Sequence, residues 1–361
     1  MNAGPWGELE KGKRRERSVA TIIVMSITEK GLIMEPWSVN TLLICFGGGL
    51  LGASLGGLLA FVFCALIVLF GSVLVLSGGS DFLLLQVGIG PVFGPHAGGF
   101  ASGVAAVTYA VAVKKNLAKP VLGLGAKDIL SPLMDTSWDV LLVGGITAMV
   151  GHGLLQILVK IPVINMFDDI AMSVVLTAFL ARLFFFREAP WGRSESIKEC
   201  GYFGYKCQWI PWMNVPSRQV IFGLAVGLFS GALVYCCKGV LDPMAAAGKI
   251  TAAGAFVVPL VMSWAIAGVS LIALELGTLT IDLQGEIQKV PVWHCQSILA
   301  ALAYLYFGNI LVAGIVGILA TFLQDLMARM FWNHGSNHVD PPAAAIAVGT
   351  LILNVVHKFV P

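Results

Sequence analysis

The sequence predicts an all-α polytopic integral membrane protein of about ten transmembrane helices, arranged as two inverted five-helix repeats that each carry a re-entrant or broken segment. Three observations carry this reading. Hydrophobic residues make up 57% of the 361-residue chain and charged residues only 12%, whereas an ordinary soluble domain is about one quarter charged. The apolar tracts are long and alanine-rich, so they are helices rather than barrel strands, because backbone in hydrocarbon must satisfy its own N–H and C=O groups. Finally, a short motif recurs. Pro91-Val92-Phe93-Gly94-Pro95-His96 closes a glycine-rich run and opens an apolar helix near Ala97, and Pro291-Val292-Trp293-His294 opens another. With the two histidines superposed, Ala105 falls on Ala303.

The flanks of the motif recur as well. Behind the first histidine come Gly144-Gly145, a helix, and then Asp168-Asp169 at the start of the next helix. Behind the second come Gly314, a helix, and Asp340-Pro341-Pro342 at the start of the last one. The expected organisation is therefore a basic N-terminal segment with an interfacial helix (1–37), a first membrane repeat (38–188), a connecting loop (189–217) and a second repeat (218–361).

Taken in order, residues 1–17 are polar and rich in Lys and Arg, which predicts a cytoplasmic N-terminus. Residues 18–34 are moderately apolar but interrupted by Glu29-Lys30, and read as a helix lying on the membrane surface. Residues 38–78 would form a helix of about 60 Å, twice the hydrocarbon thickness, so they must break into two, around Gly52 to Gly57. Phe82 to Val87, framed by glycines and Pro91, is too short to cross and too apolar for water, and reads as re-entrant. Its expected counterpart, Leu276 to Val290, carries Asp282, Glu286 and Lys289. Further spans are expected at 97–113, 138–160, 168–187, 218–237, 254–276, 294–307, 309–328 and 341–358. Five crossings per half make the repeats inverted. The charge pattern disagrees, because loops 114–127 and 187–218 look as cytoplasmic as the N-terminus.

The net charge of +2 says little about partners, and no basic patch with interleaved aromatics points to nucleic acid, which is not expected as a partner. Five of the seven cysteines lie in or beside spans and behave as small apolar residues. Cys200 and Cys207 bracket a polar loop that also holds Trp191, Trp209 and Trp212, and could pair in an oxidising compartment.

His96 and His294 are the leading functional candidates, each at a helix start beside irregular backbone that can line a cavity. Gly90, Pro91 and Pro291 would line the same pathway. Glu275, Asp325, Asp169 and Asp340 are acids in or beside spans and would couple Na+ or H+, although an aspartate before a helix also serves as its N-cap. His334, His338 and Asp340 lie within seven residues and could ligate zinc or nickel. His152, inside a span, reads as a satisfied buried histidine. No Walker loop or His-Glu-x-x-His motif is present.

The layout is similar to that of several channel and secondary-transporter folds, urea and ammonium channels among them, and layout alone does not fix function. The expected function is transport or channelling of a small solute or ion between the repeats, without a cofactor beyond a coupling ion. The chain would be multi-pass in the cytoplasmic membrane of a prokaryote and, with its Gly/Ala-rich faces, homo-oligomeric. Two alternatives stand beside it: a non-catalytic subunit of a larger membrane complex, and a metal-dependent membrane enzyme.

Overall fold

The computed structural model describes residues 34–117, 124–204, 208–279 and 290–360. The expected surface helix at 18–34, the acids Asp282 and Glu286, Lys289 and Cys207 lie outside the described residues, Met34 excepted. Among the described residues every regular element is helical.

In the first half these are α1 (Val39–Leu55), α2 (Gly57–Leu76), α3 (Ala101–Tyr109), α4 (Trp138–Leu158), α5 (Asp169–Ala181) and the short α6 (Ser194–Cys200). In the second they are α7 (Pro216–Ala246), α8 (Ala252–Ser270), α9 (Ile272–Leu279), α10 (His294–Phe307), α11 (Ile310–Met327) and α12 (Pro341–Phe359). Seven helical stretches are long and apolar enough to cross a membrane: 57–76, 138–158, 169–186, 216–246, 252–276, 310–332 and 341–359.

The helix starts are written in the sequence. Ser38, Asp168, Thr251, Asn309 and Asp340 each accept a hydrogen bond from a first-turn N–H, and Pro216 and Pro341 occupy first-turn positions whose N–H has no intrahelical partner. The expected break between the first two helices falls at Gly56, with φ +85°, where a Cβ would also meet the Ser131 carbonyl oxygen at 2.6 Å. α2 begins at once, its Leu58 N–H donating to Ile129 O at 2.8 Å.

Two helices outrun their expected ends. α7 continues past Lys238 to Ala246, because the Lys238–Asp242 pair at 3.0 Å spans one turn and keeps both charges on the helix. α11 continues through a π turn, Ala328–Trp332, carried by the Asp325–Arg329 pair at 2.9 Å. Similar π turns extend α3 (Ala110–Lys114) and α5 (Arg182–Phe186). The short apolar piece after Asp81 is itself a π turn, Leu83–Gly88, packed against α2. It is followed by a compact, buried, non-helical stretch from Ile89 to Phe100.

The two halves pack alike. α1 lies along α4, and α7 lies along α11. Between the halves α2 meets α8, and α5 meets α12. One hydrophobic core runs through α2, α5, α8, α10 and α12, so the halves share a single interior.

Candidate functional site

Where the halves meet, a cavity of about 240 Å3 remains. Leu58 and Phe61 of α2, Pro95 and Phe100 of the irregular stretch, and the first turn of α5 line one side. Leu260, Val261 and Trp264 of α8, His294 of α10 and the first turn of α12 line the other. Leu124 is the one exposed residue among those lining it. The walls are apolar and aromatic, with Lys127, Asp168, His294, His338 and Asp340 as the ionisable groups.

Asp340 is the hub of the polar groups. Its Oδ2 caps α12 by accepting from Ala343 N at 2.8 Å, and its Oδ1 lies 3.3 Å from His338 Nε2. The indole N–H of Trp332 donates to His338 Nδ1 at 3.1 Å, which makes that nitrogen the acceptor and puts the proton of neutral His338 on Nε2, directed at Asp340. His294 Nε2 stands 4.0 Å from the other carboxylate oxygen. Across the cavity Asp168 repeats the cap: its Oδ1 accepts from Ala171 N at 2.9 Å.

Lys127 comes from the segment between α3 and α4. Its ammonium lies 4.0 Å above the Trp332 ring and donates to Asn333 O at 3.2 Å. Burial, with Arg182 and Arg193 nearby and against the pull of Glu188, lowers its pKa from the ordinary 10.5 to about 7. The sign follows from linkage. The fold disfavours the ammonium that the unfolded chain keeps up to about 10.5, so the cost is complete below about 7 and fades as the pH rises between these values. Thermal stability in detergent is therefore expected to rise from pH 7 to pH 10, and Lys127→Met to flatten that rise; an unchanged slope would contradict the assignment.

The candidates from the sequence fall into distinct places. His294 and Asp340 line the cavity together. His96 does not: it is fully buried, neither ring nitrogen has a hydrogen-bond partner among the described residues, and its ring centroid is 6.3 Å from that of His152. His152 Nε2 lies 3.0 Å from Pro36 O. Gly90 is buried, and Pro91 and Pro291 flank segments whose neighbours, Ile89 and Val292, reach the cavity. The cavity role of Asp340 is matched in the first half by Asp168, whereas Asp169 is fully buried in the first turn of α5. Asp325 is engaged by Arg329, whose guanidinium also donates to Phe203 O and Gly204 O. Glu275 is half-buried on α9, beside the lining residue Leu274. His334 and His338 have different partners. His334 Nδ1 lies 3.0 Å from Ser196 Oγ and its Nε2 lies 3.1 Å from Tyr202 O. Among the described residues no three His, Cys, Asp or Glu side chains converge as metal ligands. Cys200 is disulfide-bonded.

Sequence reading missed Lys127 and the tryptophans Trp264 and Trp332 as site residues. One lysine among the four of loop 114–127 and tryptophans in apolar helices carry no spacing signal.

The fold and site define a chain that is all-helical among the described residues, rich in helices able to cross a membrane, with an aromatic cavity between its two halves. The chain belongs to the Family of unknown function DUF7973, whose family model matches residues 32–189 and 205–360. No curated protein and no solved structure matches it.

Proposed function

We propose that the chain is a polytopic membrane protein that moves a small solute or ion across the bilayer through the cavity between two homologous halves. The observation that carries the reading is the cavity itself. It lies at the junction of the halves and is lined by the N-termini of matched helices, α5 capped by Asp168 and α12 capped by Asp340. Solute sites of this kind lie at repeat interfaces, where irregular backbone and polar groups are tolerated inside the membrane.

Duplication is supported by the two matched segments, 32–189 and 205–360, and by the equivalent α1–α4 and α7–α11 pairings. Membrane residence is supported by the outer faces of α7 and α11. Ile221 and Leu311 are 69% and 70% exposed and lie with Ile315 and Leu319 on apolar surfaces that water would penalise. Within this reading the π turn at Leu83–Gly88 and the stretch after it form the re-entrant segment. A coupling ion, where one is used, would act at the Asp340, Asp168 and Lys127 group rather than at Asp325, which is already paired.

Reconstituted proteoliposomes exposed to a mixture of small metabolites, with the contents read by mass spectrometry, test the proposal. At least one solute is expected to equilibrate with the wild type and to enter roughly ten-fold more slowly with Ala343→Trp, whose indole would occupy the cavity. No solute entering faster than into protein-free vesicles would overturn the proposal.

A further inference from the structure

The cavity walls are unusually aromatic for a space of about 240 Å3: Phe61, Phe100, Trp209, Trp264 and Trp332 all line it. Phe61 stands edge-on to Phe100 and Trp264, with centroids 5.8 and 5.3 Å apart, and Trp209 lies 6.5 Å from Trp332. Ring faces carry negative potential and attract cations once water is removed. Asp168 and Asp340 are the carboxylates of the lining, set against one lysine.

A second, independent observation comes from that lysine. The wall already takes an ammonium, because Lys127 Nζ rests over Trp332. From this geometry we propose that the cavity binds a small organic cation, its ammonium head held by the aromatic wall and the Asp340 and Asp168 carboxylates in exchange for the Lys127 ammonium. The proposal rests on the reading of the cavity as the solute site and assigns that solute its chemical class.

The resident charge can leave. With a pKa near 7 Lys127 gives up its proton around neutrality, so an arriving cation does not have to meet a fixed like charge. An anion fits the same surroundings poorly. Lys127 is the one lining cation that does not depend on an imidazole gaining a proton. The guanidinium of Arg182, close by, is committed to Asn337 and Pro190. An anion would also face the two carboxylates of the lining.

Three probes of one shape and different charge test this on the purified full-length protein: choline, neutral 3,3-dimethylbutan-1-ol and anionic 3,3-dimethylbutanoate. Binding is read by tryptophan fluorescence and by the shift in thermal unfolding. Choline is expected to bind about ten-fold more tightly than the alcohol, and the carboxylate not to bind. Asp340→Asn and Asp168→Asn keep a side chain able to cap their helices, so the fold is preserved while the charge is lost. Either is expected to weaken choline several-fold while leaving the alcohol unchanged. Trp332→Leu should also weaken choline, and Trp332→Phe should restore part of the loss. Equal affinity for the alcohol, tighter binding of the carboxylate, or no binding of any probe would overturn the cation assignment. Flux that Ala343→Trp blocks would then leave the transport reading standing, with a solute of another class. Choline binding without any flux would do the reverse.

Discussion

Arg182→Met is expected to cost the folded protein about 3–5 kcal/mol, the range for breaking a buried charged network. Arg182 ends α5 and is fully buried. Its Nε donates to Asn337 Oδ1 at 2.7 Å, its Nη2 to Asn337 O at 3.1 Å and its Nη1 to Pro190 O. Asn337 in turn donates to Ala178 O at 3.0 Å and toward Thr108 Oγ1 at 3.4 Å. One guanidinium thereby ties the loop before α12 to α3, α5 and the connecting loop. A buried ion pair can often be replaced by apolar residues at little cost, but only when both partners are replaced. Here two of the acceptors are backbone carbonyls, which no substitution removes, and each stranded acceptor costs about 1–3 kcal/mol. Arg182→Lys keeps the charge but not the planar fork, and is expected to fall between the two. Thermal unfolding in detergent reads the series. A methionine variant within about 1 kcal/mol of wild type would show that the clamp is dispensable.

That clamp also explains why much of the site escaped the sequence. The same loop carries His338 and Asp340, so their place in the cavity is set by Arg182, which is 158 residues from Asp340 in the chain. An arginine at the end of an apolar helix reads as a boundary charge snorkelling to water, and only tertiary structure reveals it as wholly enclosed. Asp340 was legible because Asp followed by two prolines before an apolar run is both a capping signature and an acid beside a span. His294 was legible through the Pro-Val-aromatic-His motif. The motif carries less of His96, because its ring turns toward His152 while its neighbours Pro95 and Phe100 turn toward the cavity.

Helix existence was legible almost throughout; length alone required a break in the first apolar tract, since about 40 apolar residues exceed one bilayer crossing, and the glycines placed it between Gly52 and Gly57. Helix ends were less so. Lys238 looks like a terminator until Asp242 is seen one turn later, and Asp325 looks like a candidate proton site until Arg329 is seen one turn later. In both cases an i,i+4 pair turns charges that read as boundary or function into helix continuation. The aromatic walls were the least legible feature, because tryptophans on separate apolar helices show no periodicity that distinguishes core packing from a ligand surface.

The largest purely steric effect is expected at Gly317, where α11 meets α7. A Cβ added there would lie 2.3 Å from Gly223 O, 2.7 Å from Gly227 Cα and 2.8 Å from Gly227 N. These are backbone atoms in the middle of a long helix, so no rotamer change relieves the contact and the helices must move apart. In lipid, as proposed, no hydrophobic drive would act between these helices, so close packing of small residues would hold the pair and separating it would forfeit contacts along its length. Gly317→Ala is therefore expected to lower stability by about 1–3 kcal/mol, the usual cost of overpacking a tight core. Gly314→Ala, on the same helix, meets only the flexible ends of Leu224 and Leu228 at 3.1 and 3.0 Å and should cost little. Gly239→Ala, on α7 with nothing within 4 Å, should gain about 0.5–1 kcal/mol from helix propensity alone. In the first half Gly144 of α4 comes comparably close to α1, 2.4 Å from Ala53 Cβ and 2.9 Å from Gly49 O. Gly144→Ala is expected to be costly as well, because the added Cβ would press on α1. Stability ordered otherwise, with Gly317→Ala no worse than Gly239→Ala, would mean that helix propensity rather than backbone contact governs this interface.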